Sequence, residues 1–199
     1  YGPDEIKNEW TIHAGDGQVA FGSALDRWGF TLPMLAKKGL SLPKILEMYA
    51  NDELEKLQEL LPLSEAILGL AVHKLPNPDQ HQPRRIPHIW KGETDTVMGQ
   101  NMLAVNPDGP LVICISNVII DPQAGVISTG RVFSGTIRKG DTLHLVGAEK
   151  TAKAQQVSIY MGSYREIVDE IPAGNIVALM GLSEARAGET IVGPELLDT

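Results

Sequence analysis

The stretch VISTGRVFSGTI, residues 126–137, alternates small or polar side chains with apolar ones. An alternation with a period of two is typical of a β-strand that has one buried face. Gly130 and Gly135 interrupt the alternation, and glycine suits the bulges and corners of a strongly curved sheet. This stretch therefore predicts that the second half of the chain is built from β-strands.

Further apolar runs surround this stretch, and turns rich in glycine separate them. They occupy residues 111–120, 142–146, 154–160, 165–171 and 176–182. Many short strands with such turns favour a closed barrel, since closure removes the exposed edges of a sheet. Residues from about 93 to 199 are therefore predicted to form an all-β domain, a β-barrel.

The pattern of residues 1–92 instead predicts a mixture of helices and strands. Ser41 as N-cap, with Pro43 in the first turn, predicts a helix start, and Asn51 is predicted to cap a second helix over residues 52–61. A third helix is predicted over residues 63–75. The proline-punctuated residues 80–87 are expected to form an extended connector at the domain boundary. The fold class is thus an α+β part followed by an all-β part.

A possible binding element lies near the start, in the sequence GQVAFGSAL, residues 17–25. A short apolar run ends there in the small residues Gly22, Ser23 and Ala24, as expected where a buried strand ends in a turn. In open α/β sheets ligands bind beyond the carboxyl ends of strands, and small residues let backbone amides approach a ligand closely. The turn is therefore a candidate binding site.

Composition narrows the class of protein. The chain has 199 residues, 43% of them hydrophobic, which suffices for one large or two small domains. Its net charge of -8 argues against non-specific binding of nucleic acid by the whole chain. The apolar runs are too short to cross a bilayer, so we expect no membrane partner. The single cysteine, Cys114, forms no internal disulfide, which fits a cytoplasmic location.

No complete catalytic or metal motif stands out. The chain has no Gly-x-x-x-x-Gly-Lys-Ser/Thr phosphate loop and no zinc-ligand spacing, so we assign no catalytic or metal-binding residue. Ser23 has no histidine nearby in sequence, which disfavours a hydrolase that uses it as nucleophile. Arg131, Arg138 and Lys139 belong to a locally basic region. The favoured interpretation of this region is a solvated face of the barrel, and the alternative is a contact with RNA phosphates.

Several longer motifs carry a resemblance to a known family. Residues 17–30, 60–92 and 109–192 resemble the translational GTPases of the elongation factor G / elongation factor 2 family, in the branch shared by archaea and eukaryotes. The motifs are Gly22 to Leu25, LPNP at 75–78, RIPHIWKG at 85–92, GRVFSGTIRKGD at 130–141, QQVSIYMG at 155–162 and IPAGNIVA at 171–178.

The resemblance implies a place for each part of the chain. Residues 1–92 would be the C-terminal part of the P-loop GTPase domain, and residues 93–199 would be domain two, the translation-factor barrel. Ser23, Ala24 and Leu25 match the last guanine-recognition motif, where backbone amides touch the base. Many GTPases have lysine at the position of Leu25; the contact rests mainly on backbone, so this departure has little effect. The phosphate loop, the magnesium ligands and the Asn-Lys-x-Asp motif lie earlier in such proteins.

The family also implies a function for the full-length protein. It would bind GTP with magnesium and hydrolyse the nucleotide to drive translocation of tRNA and mRNA on the ribosome. We expect this segment alone to bind neither GTP nor GDP tightly, to be inactive as a GTPase, and to expose apolar surface in its first part. Arg131, Arg138 and Lys139 are candidates for a contact with small-subunit RNA.

Two other readings of the sequence remain open. The first alternative is a stand-alone β-barrel module that binds RNA or protein. Alternatively, the chain belongs to another translational GTPase of similar layout, such as a spliceosomal or ribosome-assembly relative.

Overall fold

The computed structural model describes residues 11–122 and 125–196. The chain divides into two compact units between Leu75 and Pro76, earlier than the predicted boundary at residue 92. The assignment of residues 1–92 and 93–199 to two functional domains stays a prediction. No helix in the described ranges is both long and apolar enough to cross a membrane. The predicted order of an α+β part and then a β-rich part is confirmed.

The first unit is a β-hairpin covered by helices. Strands β1 and β2 pair antiparallel, with Ser23 opposite Trp28 at the loop end. The core under the hairpin consists of Phe30, Leu35, Ile45, Met48, Leu57 and Leu61. The elements are a 3-10 turn (Ala14–Asp16), β1 (Ala20–Ser23), β2 (Trp28–Thr31), α1 (Leu32–Lys38), α2 (Leu42–Ala50), α3 (Leu54–Leu60) and α4 (Leu63–Lys74).

Two of the predicted helix starts differ in detail from the structure. Helix α2 does begin directly after Ser41, but the serine side chain makes no capping hydrogen bond. Asn51 does not cap the next helix; it ends α2, and α3 begins only at Leu54. The reason is Asp52, whose φ of 59° is left-handed and turns the chain sharply between the two helices.

Helix α4 is apolar on nearly all sides, and only part of it is covered. Ala66 is buried, whereas Ile67, Leu68 and Val72 are exposed, Val72 to 76%. A helix that is apolar all round is normally surrounded by other elements. The first unit therefore presents an uncovered apolar helix face, as predicted.

The second unit is dominated by an eight-stranded antiparallel sheet and a small two-stranded one. The strands of this unit are β3 (Val112–Asp121), β4 (Gly125–Ser134), β5 (Thr136–Arg138), β6 (Thr142–Leu145), β7 (Lys150–Lys153), β8 (Gln156–Met161), β9 (Tyr164–Val168), β10 (Glu170–Pro172), β11 (Ile176–Met180) and β12 (Thr190–Val192), followed by a 3-10 turn (Pro194–Leu196). The large sheet has the order β7-β6-β12-β3-β4-β11-β8-β9, and β5 pairs with β10 in the small one.

The stretch 126–137 forms two strands rather than one, because Gly135 turns a corner inside it. Gly135 has a φ of 77°, and a Cβ there would lie 2.7 Å from the Cα of Leu111. The chain thereby passes from β4 in the large sheet to β5 in the small one. Val132 of β4, Ile137 of β5 and Ile171 of β10 still share one core, so the two sheets enclose a common interior.

The expectation that everything after residue 93 is β was wrong at one helix. Helix α6 (Val97–Leu103) lies there, and the side chain of Thr96 accepts a hydrogen bond from the backbone N–H of Gly99 at its start. Strands β7 and β12 were missed because each is short, and β7 is made mostly of polar residues.

The prediction of an extended connector over residues 80–87 is wrong, because these residues lie in helix α5 (Pro78–Ile89). Asn77 caps the helix by accepting a hydrogen bond from the N–H of Gln80 at 2.9 Å, and Pro78 suits the first turn. Pro83 and Pro87 lie inside it, where each removes one intrahelical hydrogen bond. Contacts with the rest of the unit must therefore offset this cost.

Those contacts come from Gln82 and Ile86. The side-chain amide nitrogen of Gln82 donates to the backbone carbonyls of Met102, at 2.5 Å, and of Phe133, at 2.6 Å. Ile86 is buried in a cluster with Met102, Val112 and Phe133. One buried amide thus holds α5 against both α6 and β4.

We predict that Gln82→Met lowers the stability of the second unit. The change keeps the length of the side chain but removes the Gln82 donor from the buried Phe133 carbonyl and one of two donors from the Met102 carbonyl, which costs about 2 kcal/mol. Urea unfolding followed by far-UV circular dichroism measures the difference. Gln80→Met, at an exposed position of the same helix, is the matched control and should change little. Equal unfolding midpoints for the two variants would contradict the role given to Gln82.

Candidate functional site

The predicted binding turn is the loop of the β1–β2 hairpin. Ser23 ends β1, and the four residues 24–27 connect it to Trp28 at the start of β2. Arg27 closes the loop with a left-handed φ of 57°. Gly22 allows the two strands to approach, since a Cβ at this position would lie 2.3 Å from the carbonyl oxygen of Trp28. The glycine is thus required by the hairpin itself, whether or not a ligand binds.

Asp26 organises the loop from within. Its Oδ2 accepts a hydrogen bond from the Ser23 hydroxyl at 2.7 Å, and its backbone N–H donates to the Ser23 Oγ at 3.2 Å. The hydroxyl is therefore engaged by a carboxylate and not by an imidazole, which argues further against Ser23 as a nucleophile. This reciprocal pair fixes the loop conformation.

Two residues from the helices fasten the loop from outside. The Tyr49 hydroxyl of α2 donates to Asp26 Oδ2 at 3.1 Å, and the Gln58 side-chain amide of α3 donates to the Asp26 carbonyl at 3.0 Å. The hydrogen bond to Asp26, and then the negative charge of its carboxylate, raise the pKa of Tyr49 above its ordinary value of 10.0. The tyrosine is therefore held in its neutral, donating form.

The loop offers free backbone donors to solvent. Ala24 and Leu25 are exposed, Leu25 to 90%, and within the described ranges the backbone N–H groups of both lack a hydrogen-bond partner. Unpaired amides on a fixed loop suit a flat ligand that carries carbonyl acceptors. Across the described residues, no group of three or more His, Cys, Asp or Glu side chains is placed to hold a metal ion.

The three predicted RNA-contacting residues do not form one patch. Arg131 is half-buried in β4 and donates from Nη1 to the Gly174 carbonyl at 2.8 Å. Arg138 pairs through Nε with Glu170 Oε2 at 2.9 Å, with both side chains more than half exposed. They line different cavities of the second unit. Lys139 is exposed next to Arg138, so only these last two remain neighbours on the surface.

Sequence reasoning missed the residues that hold the loop. The spacing of Ser23 and Asp26, three residues apart, is a local signal typical of side-chain-stabilised turns and could have identified Asp26. Tyr49 and Gln58 carry no such signal, since they lie on later helices and meet the loop only in the folded unit. Trp28 is a packing residue, since it stacks on Phe30 with ring centroids 6.2 Å apart.

We predict that Asp26→Asn lowers the pKa of Tyr49 toward 10.0. The change removes the carboxylate that accepts from the hydroxyl and repels its ionised form. Titration of the ¹³C ring resonances of tyrosine measures the shift. Asp16→Asn, a carboxylate in the same unit that makes no contact with Tyr49, should leave the titration of Tyr49 unchanged. An unaltered Tyr49 curve in Asp26→Asn would contradict the contact.

The sign of the pH effect follows from the raised pKa. The contact between Tyr49 and Asp26 stabilises the folded loop fully below pH 10.0, and this contribution is lost as the pH rises through the higher pKa of the folded state. Amide exchange of Asp26, whose N–H donates to the Ser23 Oγ, should therefore show weaker protection above that pH in the wild type, beyond the general rise of exchange rate with pH.

Comparison with known sequences identifies the relatives of this chain. A sequence model described as "Elongation factor Tu domain 2" matches residues 125–192. Proteins named "Elongation factor 2" match along the chain: that of Staphylothermus marinus is 50% identical, with 100% of this chain and 27% of the relative aligned. Those of Metallosphaera sedula and Pyrobaculum calidifontis are 47% and 46% identical, with 96% and 100% of this chain aligned to 26% and 27% of each relative.

The chain therefore spans about a quarter of the length of the curated relatives it matches. The alignment with the Staphylothermus marinus protein covers all of this chain and therefore both units. The assignment therefore does not rest on the barrel alone. The chain belongs to the elongation factor 2 family, in its archaeal form, and corresponds to one segment of such a protein.

Proposed function

We propose that this chain is part of a cytoplasmic ribosomal translocation factor that binds GTP and hydrolyses it to move tRNA and mRNA. The proposal rests on relatives named elongation factor 2 and on the hairpin loop of the first unit. The carrying observation is that the free amides of Ala24 and Leu25 lie on an exposed loop that Asp26 and Tyr49 hold in place.

The proposed contribution of this chain to the nucleotide site is the contact with guanine. The base carries a carbonyl oxygen that would accept from the amide of Ala24 or Leu25, and the exposed, short side chain of Ala24 leaves room for a flat ring. The side chain of Leu25 is exposed to solvent and plays no part in this contact. The conformation is already fixed, so little ordering free energy is lost on binding.

Phosphoryl transfer is assigned to other parts of the factor. When bound, GTP and magnesium would supply the reacting phosphate and the charge that stabilises its transfer. This chain carries no phosphate-loop motif, and the described residues offer no cluster of metal ligands. Its own residues would hold the base and so orient the nucleotide.

The uncovered face of α4 supports a place in a larger domain. Ile67, Leu68 and Val72 leave an apolar surface that a two-stranded hairpin is too small to cover. We propose that the remainder of the GTP-binding domain packs on this face. On this interpretation the first unit continues a GTPase fold, and the predicted residues 1–92 are its C-terminal part.

The second unit is proposed to contact small-subunit RNA through a local patch. Residues 93–199 contain 7 basic and 13 acidic side chains, a net charge of -6, so a general attraction to RNA is excluded for this part. Arg138 and Lys139 are the strongest candidates, because both are exposed and the ion pair of Arg138 with Glu170 is a weak surface pair. Arg131 is held by the Gly174 carbonyl and is the weakest of the three.

We predict that Ala24→Pro in the full-length factor weakens GDP binding about three- to tenfold, the cost of one lost neutral hydrogen bond. Proline removes the backbone N–H of residue 24 and fixes its φ at about −65°, and Ser23 before it is already in the extended conformation that proline requires. Titration with a fluorescent GDP analogue measures the affinity. Ala24→Gly keeps the N–H and should bind as the wild type does. Equal affinities of the two variants would contradict the guanine contact.

We predict that the double change Arg138→Glu with Lys139→Glu in the full-length factor weakens ribosome binding about tenfold and flattens its salt dependence by about two units of log–log slope. Co-sedimentation with ribosomes over a range of salt concentrations measures both quantities. Lys37→Glu with Lys44→Glu makes the same change of charge in the first unit and is the control. A loss of affinity equal to that of the control would contradict a specific RNA contact.

A further inference from the structure

A cavity of about 470 Å³ lies between helix α5 and the outer face of the large sheet. His81, Gln82 and Arg85 line it from one side of the helix, at positions separated by about one turn. Cys114, Arg131 and Phe133 line it from β3 and β4. Its volume lies within the range of small-molecule sites in proteins, about 300 to 1,000 Å³.

The sheet side of the cavity is a regular surface. Cys114 of β3 is paired with Arg131 of β4, and Arg131 in turn is paired with Ile176 of β11. Arg131 therefore lies in the middle of a row that crosses three strands. Phe133 lies two residues further along β4, and so on the same face. An apolar floor thus has one cationic side chain at its centre.

The charge of the cavity is unusual for this chain. Arg131 contributes one guanidinium from the sheet and Arg85 a second from the helix, whereas none of the described residues lining the cavity is acidic. Arg85 is exposed and forms no ion pair with any described residue. In a protein with a net charge of -8, two arginines without a carboxylate between them form a local site for an anion.

Gln82 adds an unsatisfied acceptor at the inner wall. Its side chain is only 3% exposed, and both hydrogens of its amide nitrogen are directed at the carbonyls of Met102 and Phe133. Its Oε1 is buried and has no hydrogen-bond partner among the described residues. Buried polar atoms are nearly always satisfied, so this oxygen is a candidate acceptor for a water or for a ligand donor.

We propose that this cavity binds a small organic anion with an apolar, ring-containing body. The acid group would lie beside Arg85 and Arg131, the apolar body against Phe133, and an N–H or O–H donor beside Gln82. This site shares no residue with the hairpin loop or with the basic pair Arg138 and Lys139; it shares only Arg131, the weakest of the three RNA candidates. Protection of Cys114 is measured without ribosomes, so its outcome is distinct from that of the ribosome-binding test.

Cys114 allows occupancy of this cavity to be measured directly. It is the single cysteine of the chain, it lines the cavity and it is only partly buried. Burial raises the pKa of its thiol, so alkylation is best followed at mildly alkaline pH. A ligand in the cavity would shield the thiol and slow its reaction with iodoacetamide. Dye fluorescence is unsuitable as a readout, because the exposed face of α4 would also adsorb an apolar dye.

The probe is 1-anilinonaphthalene-8-sulfonate, which combines an aromatic body, one sulfonate and one N–H donor. We predict that it protects Cys114 in a saturable manner, as measured by mass spectrometry of the alkylated chain. Arg85→Gln should raise the half-protecting concentration about tenfold, since a charge-assisted hydrogen bond is lost. Lys91→Gln removes the same charge from an exposed residue outside the cavity and should leave that concentration unchanged.

A neutral probe separates the two parts of the proposal. N-phenyl-1-naphthylamine lacks the sulfonate, so it should protect Cys114 equally in the wild type and in Arg85→Gln. A failure of the sulfonate probe to slow alkylation of Cys114 in the wild type would overturn the binding site. Equal half-protecting concentrations of the sulfonate probe in Arg85→Gln and Lys91→Gln would overturn its preference for anions.

Discussion

The second unit depends on the two hydrogen bonds that the Gln82 side chain donates to the carbonyls of Met102 and Phe133. These carbonyls belong to different elements, so one amide group joins α5, α6 and β4. The helix that carries Gln82 contains two internal prolines and would be a poor helix by itself. Its position in turn creates the cavity beneath it and brings Arg85 to the same space as Arg131. Tertiary contacts therefore decide both the secondary structure and the chemistry of this region.

Much of the fold could be predicted from local patterns, and the failures have a common cause. The alternation over residues 126–137 predicted β-structure correctly, because the period of side-chain burial is a property of the strand itself. The division of this stretch at Gly135 depends on the close approach of Leu111, which no local pattern records. Helix α5 was missed for the same reason: Gln82 is stabilised by a carbonyl 51 residues away. Helix propensity depends only on the local sequence, so the prolines predicted an extended segment, and the distant carbonyl that stabilises the helix was not taken into account.

The candidate guanine site also combines features that are visible in the local sequence with contacts that form only in the folded unit. The small residues at 22–24 are local and indicated a turn with accessible amides, and the Ser23–Asp26 spacing is a further local signal that was not used. The residues that make the turn rigid are remote, since Tyr49 and Gln58 lie 23 and 32 positions from Asp26. For the basic residues, closeness in sequence did not mean closeness in the fold. Arg131 and Arg138 are close in sequence, but the corner at Gly135 sends them to different sheets and different cavities.

The two candidate sites are built by the same physical arrangement. In each, a segment that exposes a functional group is held by a polar side chain from another element: Tyr49 holds the hairpin loop, and Gln82 holds α5. The arrangements differ in strength. The Tyr49–Asp26 contact is solvent-exposed and one partner is ionised, so it is sensitive to pH and worth little in isolation. The Gln82 contacts are buried and neutral, and breaking them leaves carbonyls that water does not reach. The outer support of the loop is therefore weakened at high pH, whereas the contacts that hold α5 over its cavity do not depend on pH.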